Sequence, residues 1–409
     1  MIKTISFLAF LVIHSLVISQ TITNYTTADG LPDNDVTCLV HDGNGAMWFG
    51  TQKGVAKFDG INWVTYNTQS DSVLPQDGIT AIAIASNNDV WIGTDAGAAI
   101  YDGSEWKAYT TDDGLGSNRI THIAEMSNGD IWFADFNGAT KYDGTSFTAY
   151  GSADGLPFGG VVKVAEDKNG DVLMCTGLGG LVTFDGTQFA AYSVAEGLVS
   201  KNTTSIALDN QGNKWVGTAK GVSVLNASNQ WVTNHTQMLE IPEPDTLNPV
   251  EDIAIDKSGT VWVGIYVDYL VTVGGVAYLD NDQWITIDAS DGLVGPTIRQ
   301  IALDGRDNLW VGTSSGVSRI DNPSSASFME VEAEQIAVYP NPAKTTVTIS
   351  FKDVMEEKMP IQIVNHLSQV VRTGEIMKGS NSHTFDVMNM NPGLYFVICD
   401  GIHNRLLVR

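Results

Sequence analysis

The sequence predicts an all-β protein: a seven-bladed β-propeller whose N-terminal strand closes blade 7, followed by a small C-terminal Ig-like β-sandwich. Three observations carry that expectation. A short phrase, a large apolar residue followed by roughly Val-Gly-Thr and a glycine, recurs at Trp48, Trp91, Trp132, Leu173, Trp215, Trp262 and Trp310. Its spacing of 41 to 48 residues, filled with strand formers and turn residues, is that of a propeller blade. Beyond residue 335 the phrase is absent, and short runs of alternating β-branched residues take its place.

Within one repeat, Ile79–Ala85 is a strand, Ser86–Asp89 a turn, and Val90–Thr94 a second strand. Asp95–Gly97 turns into Ala98–Tyr101. Asp102-Gly103 then supplies the positive backbone angles of a tight hairpin, and Glu105–Tyr109 is the fourth strand. The Asp/Asn/Gly turns return at the same hairpin positions in every repeat. They lack the alternating ligand spacing of a calcium loop, so they read as turns. The Trp of each second strand is expected to pack between neighbouring blades. The glycine two residues later is expected to let blades approach closely. Repeat 3 departs from the pattern with Ala134-Asp135, and repeat 4 with Leu173-Met174-Cys175-Thr176.

Repeat 7 stops after its third strand, at Ile320-Asp321. The missing strand is written at the other end of the chain, as Thr21–Tyr25 ahead of Asp29-Gly30-Leu31. Fourth strands elsewhere precede Asp113-Gly114-Leu115, Asp154-Gly155-Leu156 and Asp291-Gly292-Leu293 in the same way. Pairing the two ends would leave no open blade.

The chain ends and the charge set further bounds. Residues 1–19 carry Lys3, an apolar stretch from Ile5 to Ile18, and Val17-Ile18-Ser19 at a cleavage-site position, the pattern of a secretory signal peptide. The propeller is expected over 20–322, a Ser/Glu-rich linker over 323–334, and the last module over 335–409. No later segment is apolar for long enough to span a bilayer, so an integral membrane protein is not expected. With 22 basic against 47 acidic residues, the net charge of −25 argues against nucleic acid or an anionic membrane as partner. Three cysteines, Cys38, Cys175 and Cys399, fall in different repeats or modules and suggest neither a disulfide framework nor a metal site.

The repeat text, Asp-Gly-Leu, then a Val/Ile-rich strand, Asp-x-x-Gly, Trp-x-Gly-Thr-x-x-Gly-Val and Tyr-Asp-Gly, resembles the two-component-regulator propeller repeats of Bacteroidetes sensor proteins. That resemblance implies a ligand-sensing ectodomain. Because the sequence shows neither a membrane span nor a kinase segment, this chain is not expected to signal by that route. The C-terminal module resembles the sorting domain of type IX secretion substrates. The matching residues are Tyr339-Pro340-Asn341-Pro342, the Gly393-Leu394-Tyr395-Phe396-Val397 strand and a short basic end. Asn365–Gln369 departs from the family, which carries a turn glycine there. This resemblance implies partnership with the type IX secretion machinery through residues 335–409, and a secreted or cell-surface location.

Candidate chemistry lies in interruptions of the repeat. Asn234–Pro249, between blades 5 and 6, and Gly264–Gly275, inside blade 6, are insertions, and Asn67–Gln76 in blade 2 is a smaller one. Tyr266, Asp268 and Tyr269 would suit a sugar, with stacked rings and acids accepting hydroxyl hydrogen bonds; packing of the loop by the two tyrosines is the competing reading. Two Asp-Ser/Thr-apolar tripeptides in the insertions, Asp71-Ser72-Val73 and Asp245-Thr246-Leu247, fit an O-glycosylation pattern.

The innermost strands, aligned at one position, read Cys38, Ala81, His122, Lys163, Ser205, Asp252 and Gln300. The position before it reads Thr37, Thr80, Thr121, Val162, Thr204, Glu251 and Arg299. His122, Lys163 and Asp252 are therefore candidates for ligand contact, with Glu251 and Arg299 either joining them or pairing with each other. Asp135 is a further candidate because it replaces a repeat threonine. Seven-bladed streptogramin lyases use a His and acidic groups with a metal. Here His41, His122 and His235 fall at dissimilar repeat positions and no His-x-His spacing occurs, so neither a metal nor another cofactor is expected. The reading preferred from sequence is a ligand-binding propeller for a glycan or an extracellular protein. A lyase or hydrolase acting at the channel mouth and a structural adhesion module are the alternatives.

Overall fold

In a computed structural model, the described residues are 21–409 except 71–73, 158–159, 242–246, 269–271, 322–335, 340–342, 352–353, 355–357, 365–369, 391–392, 400–401 and 409. Residues 1–19, read from sequence as a signal peptide, lie outside them. The chain divides into two compact units, Met1–Asn322 and Pro323–Arg409.

The first unit is built of four-stranded antiparallel sheets that resemble propeller blades. The first holds Val36–His41, Met47–Thr51, Gly54–Phe58 and Trp63–Tyr66. The next five follow in chain order, with inner strands Ile79–Ile84, Ile120–Glu125, Val161–Glu166, Thr203–Leu208 and Val250–Ile255. The last sheet combines Ile298–Leu303, Leu309–Thr313 and Gly316–Ile320 with the N-terminal strand Ile22–Tyr25. That strand runs antiparallel to Gly316–Ile320, with Ile22 opposite Ile320 and Tyr25 opposite Val317. The two ends of the unit are thus paired by a ladder of backbone hydrogen bonds. Inner strands of successive sheets are neighbours, and the inner strand of the last sheet neighbours that of the first.

Packing between sheets follows the repeat. Trp48, Trp91, Trp132, Leu173, Trp262 and Trp310 are buried, and Trp215 is half-buried. Trp91 meets Phe133 of the next sheet edge-on at 5.4 Å. Trp310 stacks on Tyr25 at 5.5 Å and touches Phe49 of the first sheet at 5.6 Å, so one indole joins the N-terminal strand and the first sheet to the last. The repeat glycine is a contact surface as well. A Cβ on Gly93 would lie 2.7 Å from Ile120 Cγ2, and one on Gly264 would lie 2.8 Å from Ile298 Cγ2. Both neighbours belong to the next sheet, so the missing side chain sets how closely sheets approach.

The hairpin turns are held by their own carboxylates. Asp42 accepts from the backbone N–H groups of Asn44 and Ala46, and Asp304 from those of Arg306 and Asn308. Asp304 also accepts the Trp310 indole N–H at 3.0 Å. These oxygens are therefore occupied by the fold.

The second unit has two sheets. One orders Ile336–Tyr339, Thr346–Phe351 and Ser382–Asp386. The other orders Val370–Ile376, Met359–Val364, Gly393–Cys399 and Ile402–Val408. Val347, Ile349 and Phe385 of the first share a core with Ile361, Ile363, Ile376, Tyr395 and Val397 of the second. Of the sorting residues named from sequence, Tyr339 is exposed on the first strand, Gly393 opens the third strand of the second sheet, and Tyr395 is buried. Pro340, Asn341 and Pro342 lie outside the described residues.

Candidate functional site at the mouth of the propeller

Every inner strand breaks register once, at the same step: between Val36 and Cys38 in the first sheet and at the equivalent place in the others. Such a bulge adds one unpaired residue. The added residues are Thr37, Thr80, Thr121, Val162, Thr204, Glu251 and Arg299. Where this residue is threonine its hydroxyl donates to the next sheet. Thr37 reaches the Ile79 carbonyl at 2.6 Å, Thr80 that of Ile120 at 2.6 Å, and Thr121 that of Val161 at 2.7 Å; Thr204 does the same to Val250. Val162, Glu251 and Arg299 depart from this stitch. Arg299 forms an ion pair at 3.4 Å with Asp35, which precedes the inner strand of the first sheet, and its charge also acts on Glu251. Burial pushes the Glu251 carboxyl up to about 7, against the opposing pull of the Arg299 charge.

The next ring, from Cys38 to Gln300, lies opposite the repeat glycine or its replacements Ala134 and Cys175. Its polar members tie one sheet to the next. Gln300 accepts from the Leu39 N–H at 2.9 Å, Asp252 from that of Ile301 at 3.3 Å, and His122 Nδ1 from that of Val164 at 3.5 Å. Burial and the Lys163 charge press His122 down to about 3, so it is neutral and free to accept. Lys163 pairs with Asp252, and the two side chains are only 15% and 4% exposed. The three residues proposed from sequence as ligand contacts are thus brought into one polar cluster, Asp252 buried and His122 and Lys163 half-buried. Their charges and lone pairs are used in holding sheets together.

Asp135 is also turned inward. It is 1% exposed and accepts from the N–H groups of Asn137 and Gly138 and from the Thr140 hydroxyl at 2.9 Å. It serves the tight turn that Thr51, Thr94 and Thr313 serve elsewhere by donating to the carbonyls of Gly54, Gly97 and Gly316. Burial raises its pKa.

The insertion expected as a loop at Gly264–Gly275 continues the sheet. Val261–Asp268 and Thr272–Asp280 form one lengthened hairpin, with Tyr266 opposite Gly274 and Asp268 opposite Thr272. Tyr266 is half-buried against the Trp262 cluster, Asp268 is exposed, and Tyr269 lies outside the described residues. The neighbouring insertion folds down as well: Met238 and Leu239 are buried, and buried Asn248 accepts from both of their N–H groups. Beside it a cleft of about 620 Å³ is lined by Gln237, Glu240 and Asp282 together with Leu239, Ile241 and Trp284.

Two other clefts open on the face that carries the second-to-third-strand turns. One, of about 480 Å³, lies between the third and fourth sheets and is lined by Phe136, Pro157, Val162, Gly177 and Leu178 together with Thr121. Phe136 and Leu178 are 61% and 57% exposed, unusual for large apolar side chains sharing one hollow. The other, of about 270 Å³, is polar and is lined by Gln52, Gln76, Asp95 and Arg119, again with Thr121. Arg119 stands at their junction. Its guanidinium lies over the Phe136 ring at 5.2 Å and pairs with Asp95 at 3.3 Å. Sequence reasoning missed these residues because it followed insertion length. The signal was the degeneracy of repeats 3 and 4, where Asp135 replaces threonine and Gly177-Leu178-Gly179 makes the turn one residue longer.

Comparison with known proteins agrees with this architecture. Residues 30–53 match the family model of the two component regulator propeller, and residues 337–405 match that of the secretion system C-terminal sorting domain. No curated protein matches the chain. Among solved structures it is similar to the extracellular domain of the one component system BT4673 of B. thetaiotaomicron, at 16% identity and a TM-score of 0.62, covering 96% of this chain and 58% of that one. It is similar to PorZ of Porphyromonas gingivalis, a bacterial surface component of the type-IX secretion system, at 16% identity and a TM-score of 0.58, covering 92% and 60%. It also resembles virginiamycin B lyase of Staphylococcus aureus, at 14% identity and a TM-score of 0.57, covering 74% and 99%. The chain spans less than two thirds of the length of the first two. The chain is thus an all-β protein of propeller-like sheets, similar to the two component regulator propeller over residues 30–53 and to the secretion system C-terminal sorting domain over residues 337–405.

Proposed function

We propose that this chain is a type IX secretion cargo, released or held at the cell surface, whose closed seven-bladed propeller binds a ligand on the channel-mouth face. In this reading residues 1–19 are a signal peptide, 20–322 the propeller and 323–334 a linker. Residues 335–409, an Ig-like sandwich, engage the secretion machinery. The observation that carries ligand binding is the apolar hollow between the third and fourth sheets, which opens beside a polar cleft on a rigid scaffold. Convergent apolar and polar groups in a preformed concavity are what small ligands and partner side chains require. Binding is favoured over catalysis because His122, the best-placed histidine for a lyase, is half-buried, neutral and accepts from the Val164 N–H.

Glycan and peptide arrays probed with the full chain test this reading. The Phe136→Ala, Leu178→Ala double variant should lose the signal that the wild type gives. Retention of that signal, with loss on Tyr266→Ala instead, would move the site to the sixth sheet. For export, deletion of residues 337–405 should trap the protein inside a type IX-secreting host; unchanged surface display would refute the route.

A further inference from the structure

We propose that the two clefts joined at Arg119 form one site for an aromatic carboxylate: a ring in the apolar hollow with an acid group a short spacer away. The inference rests on the mouth-face reading above and adds the ligand's chemistry. The apolar hollow is walled by two glycines that act differently. At Gly160 a Cβ would strike the Phe136 carbonyl oxygen at 2.7 Å, so glycine there lets the chain pass close to the turn of the third sheet. At Gly177 no atom of the described residues lies within 4 Å of where a Cβ would stand. The equivalent turn position carries Gln52, Asp95, Phe136, Ala219, Tyr266 or Ser314 in the other sheets, so only the fourth has no side chain there. What fills it must be apolar and flat enough to lie against Phe136, Pro157 and Leu178.

The polar side offers hydrogen-bond donors. The hydroxyls of Thr37, Thr80 and Thr121 are already spent on neighbouring carbonyls. Arg119, more than half exposed, has five N–H donors and, among the described residues, a single carboxylate partner, Asp95. The amides of Gln52 and Gln76 line the same cleft. A bidentate acceptor beside the ring satisfies this set, because Arg119 stands 5.2 Å from the Phe136 ring that walls the hollow. The same chemistry is offered by a free aromatic acid and by a peptide ending in an aromatic residue.

Calorimetry on the full chain with N-acetylphenylalanine, its C-terminal amide and a tetrapeptide ending in phenylalanine tests the proposal. The acid should bind, and the amide should bind roughly tenfold or more weakly. Gly177→Leu should abolish binding at an unchanged melting temperature, and Arg119→Gln should bring the acid down to the level of the amide. A tetrapeptide as tight as the acid assigns the site to chain termini; a much weaker one assigns it to free acids. No binding of the acid, equal binding of acid and amide, or binding that survives Gly177→Leu overturns the proposal. If an array ligand is lost in Gly177→Leu while the acid fails to bind, the mouth-face reading stands and only the ligand class falls. If Gly177→Leu disturbs neither, both fall.

Discussion

Glu251 makes the protein's stability depend on pH in a direction opposite to that of ordinary paired carboxylates. Its carboxyl is raised from 4.5 to about 7, first by burial, with Asp252 adding and Arg299 opposing. Below pH 4.5 both folded and unfolded chains hold the proton, and burial of the neutral acid costs little. Between 4.5 and 7 the unfolded chain releases the proton while the folded chain keeps it, so this residue's contribution declines as pH rises. At about 1.4 kcal/mol per unit, the loss by pH 7 is about 3 kcal/mol, and above that it is constant. Glu251→Gln keeps the shape and removes the titration. Urea unfolding of both proteins across this range isolates the residue, because every other carboxylate cancels in the difference. The variant should gain on the wild type by about 3 kcal/mol between the acid and neutral ends. A flat difference curve, or one of opposite sign, would show that the Arg299 charge outweighs burial and would refute the reasoning.

Other outcomes follow from packing. Gly93→Ala drives a methyl group against Ile120 and should cost about 1–3 kcal/mol, whereas Gly177→Ala, in open space, should stay within about 0.5 kcal/mol by thermal or urea unfolding. Lys163→Met leaves Asp252 buried and unpaired and should cost about 3–5 kcal/mol; adding Asp252→Asn should recover a large part of it in the same assay. Tyr25→Ala removes the ring stacked on Trp310 and should cost about 3–5 kcal/mol, with earlier amide exchange along Gly316–Ile320 as the signature of an opened seam.

Much of the fold was legible because it is written in local terms. A blade is four short strands with turn residues between them, and each repeat states its strands, its Asp-Gly turns and its interlocking tryptophan within about forty residues. The match of Thr21–Tyr25 to the strand missing from repeat 7 needed only a count. The role of the repeat glycine was also readable, as the Gly93–Ile120 approach shows. The site was less legible. Insertion length drew attention to Gly264–Gly275, yet an insertion can lengthen a hairpin instead of making a loop, and the ladder from Tyr266–Gly274 to Asp268–Thr272 does so. Polarity at an inner position drew attention to His122, Lys163 and Asp252. The bulge in each inner strand leaves backbone groups that side chains of the preceding sheet must satisfy, and His122 and Asp252 are spent on that task.

The sequence by itself determined the repeat, the strand content, the strand that pairs the two ends of the propeller unit, and the sorting-domain likeness of the last module, because each depends on residues close together or on a regular period. Only the tertiary structure decided which polar residues are free and where a concavity opens. The Lys163–Asp252 pair joins residues 89 apart in sequence, and the Arg119–Phe136 contact at the junction of two clefts depends on how adjacent sheets pack. A cavity is a property of what several distant segments leave unfilled. The emptiness at Gly177 has no meaning until Phe136, Pro157 and Leu178 are placed around it.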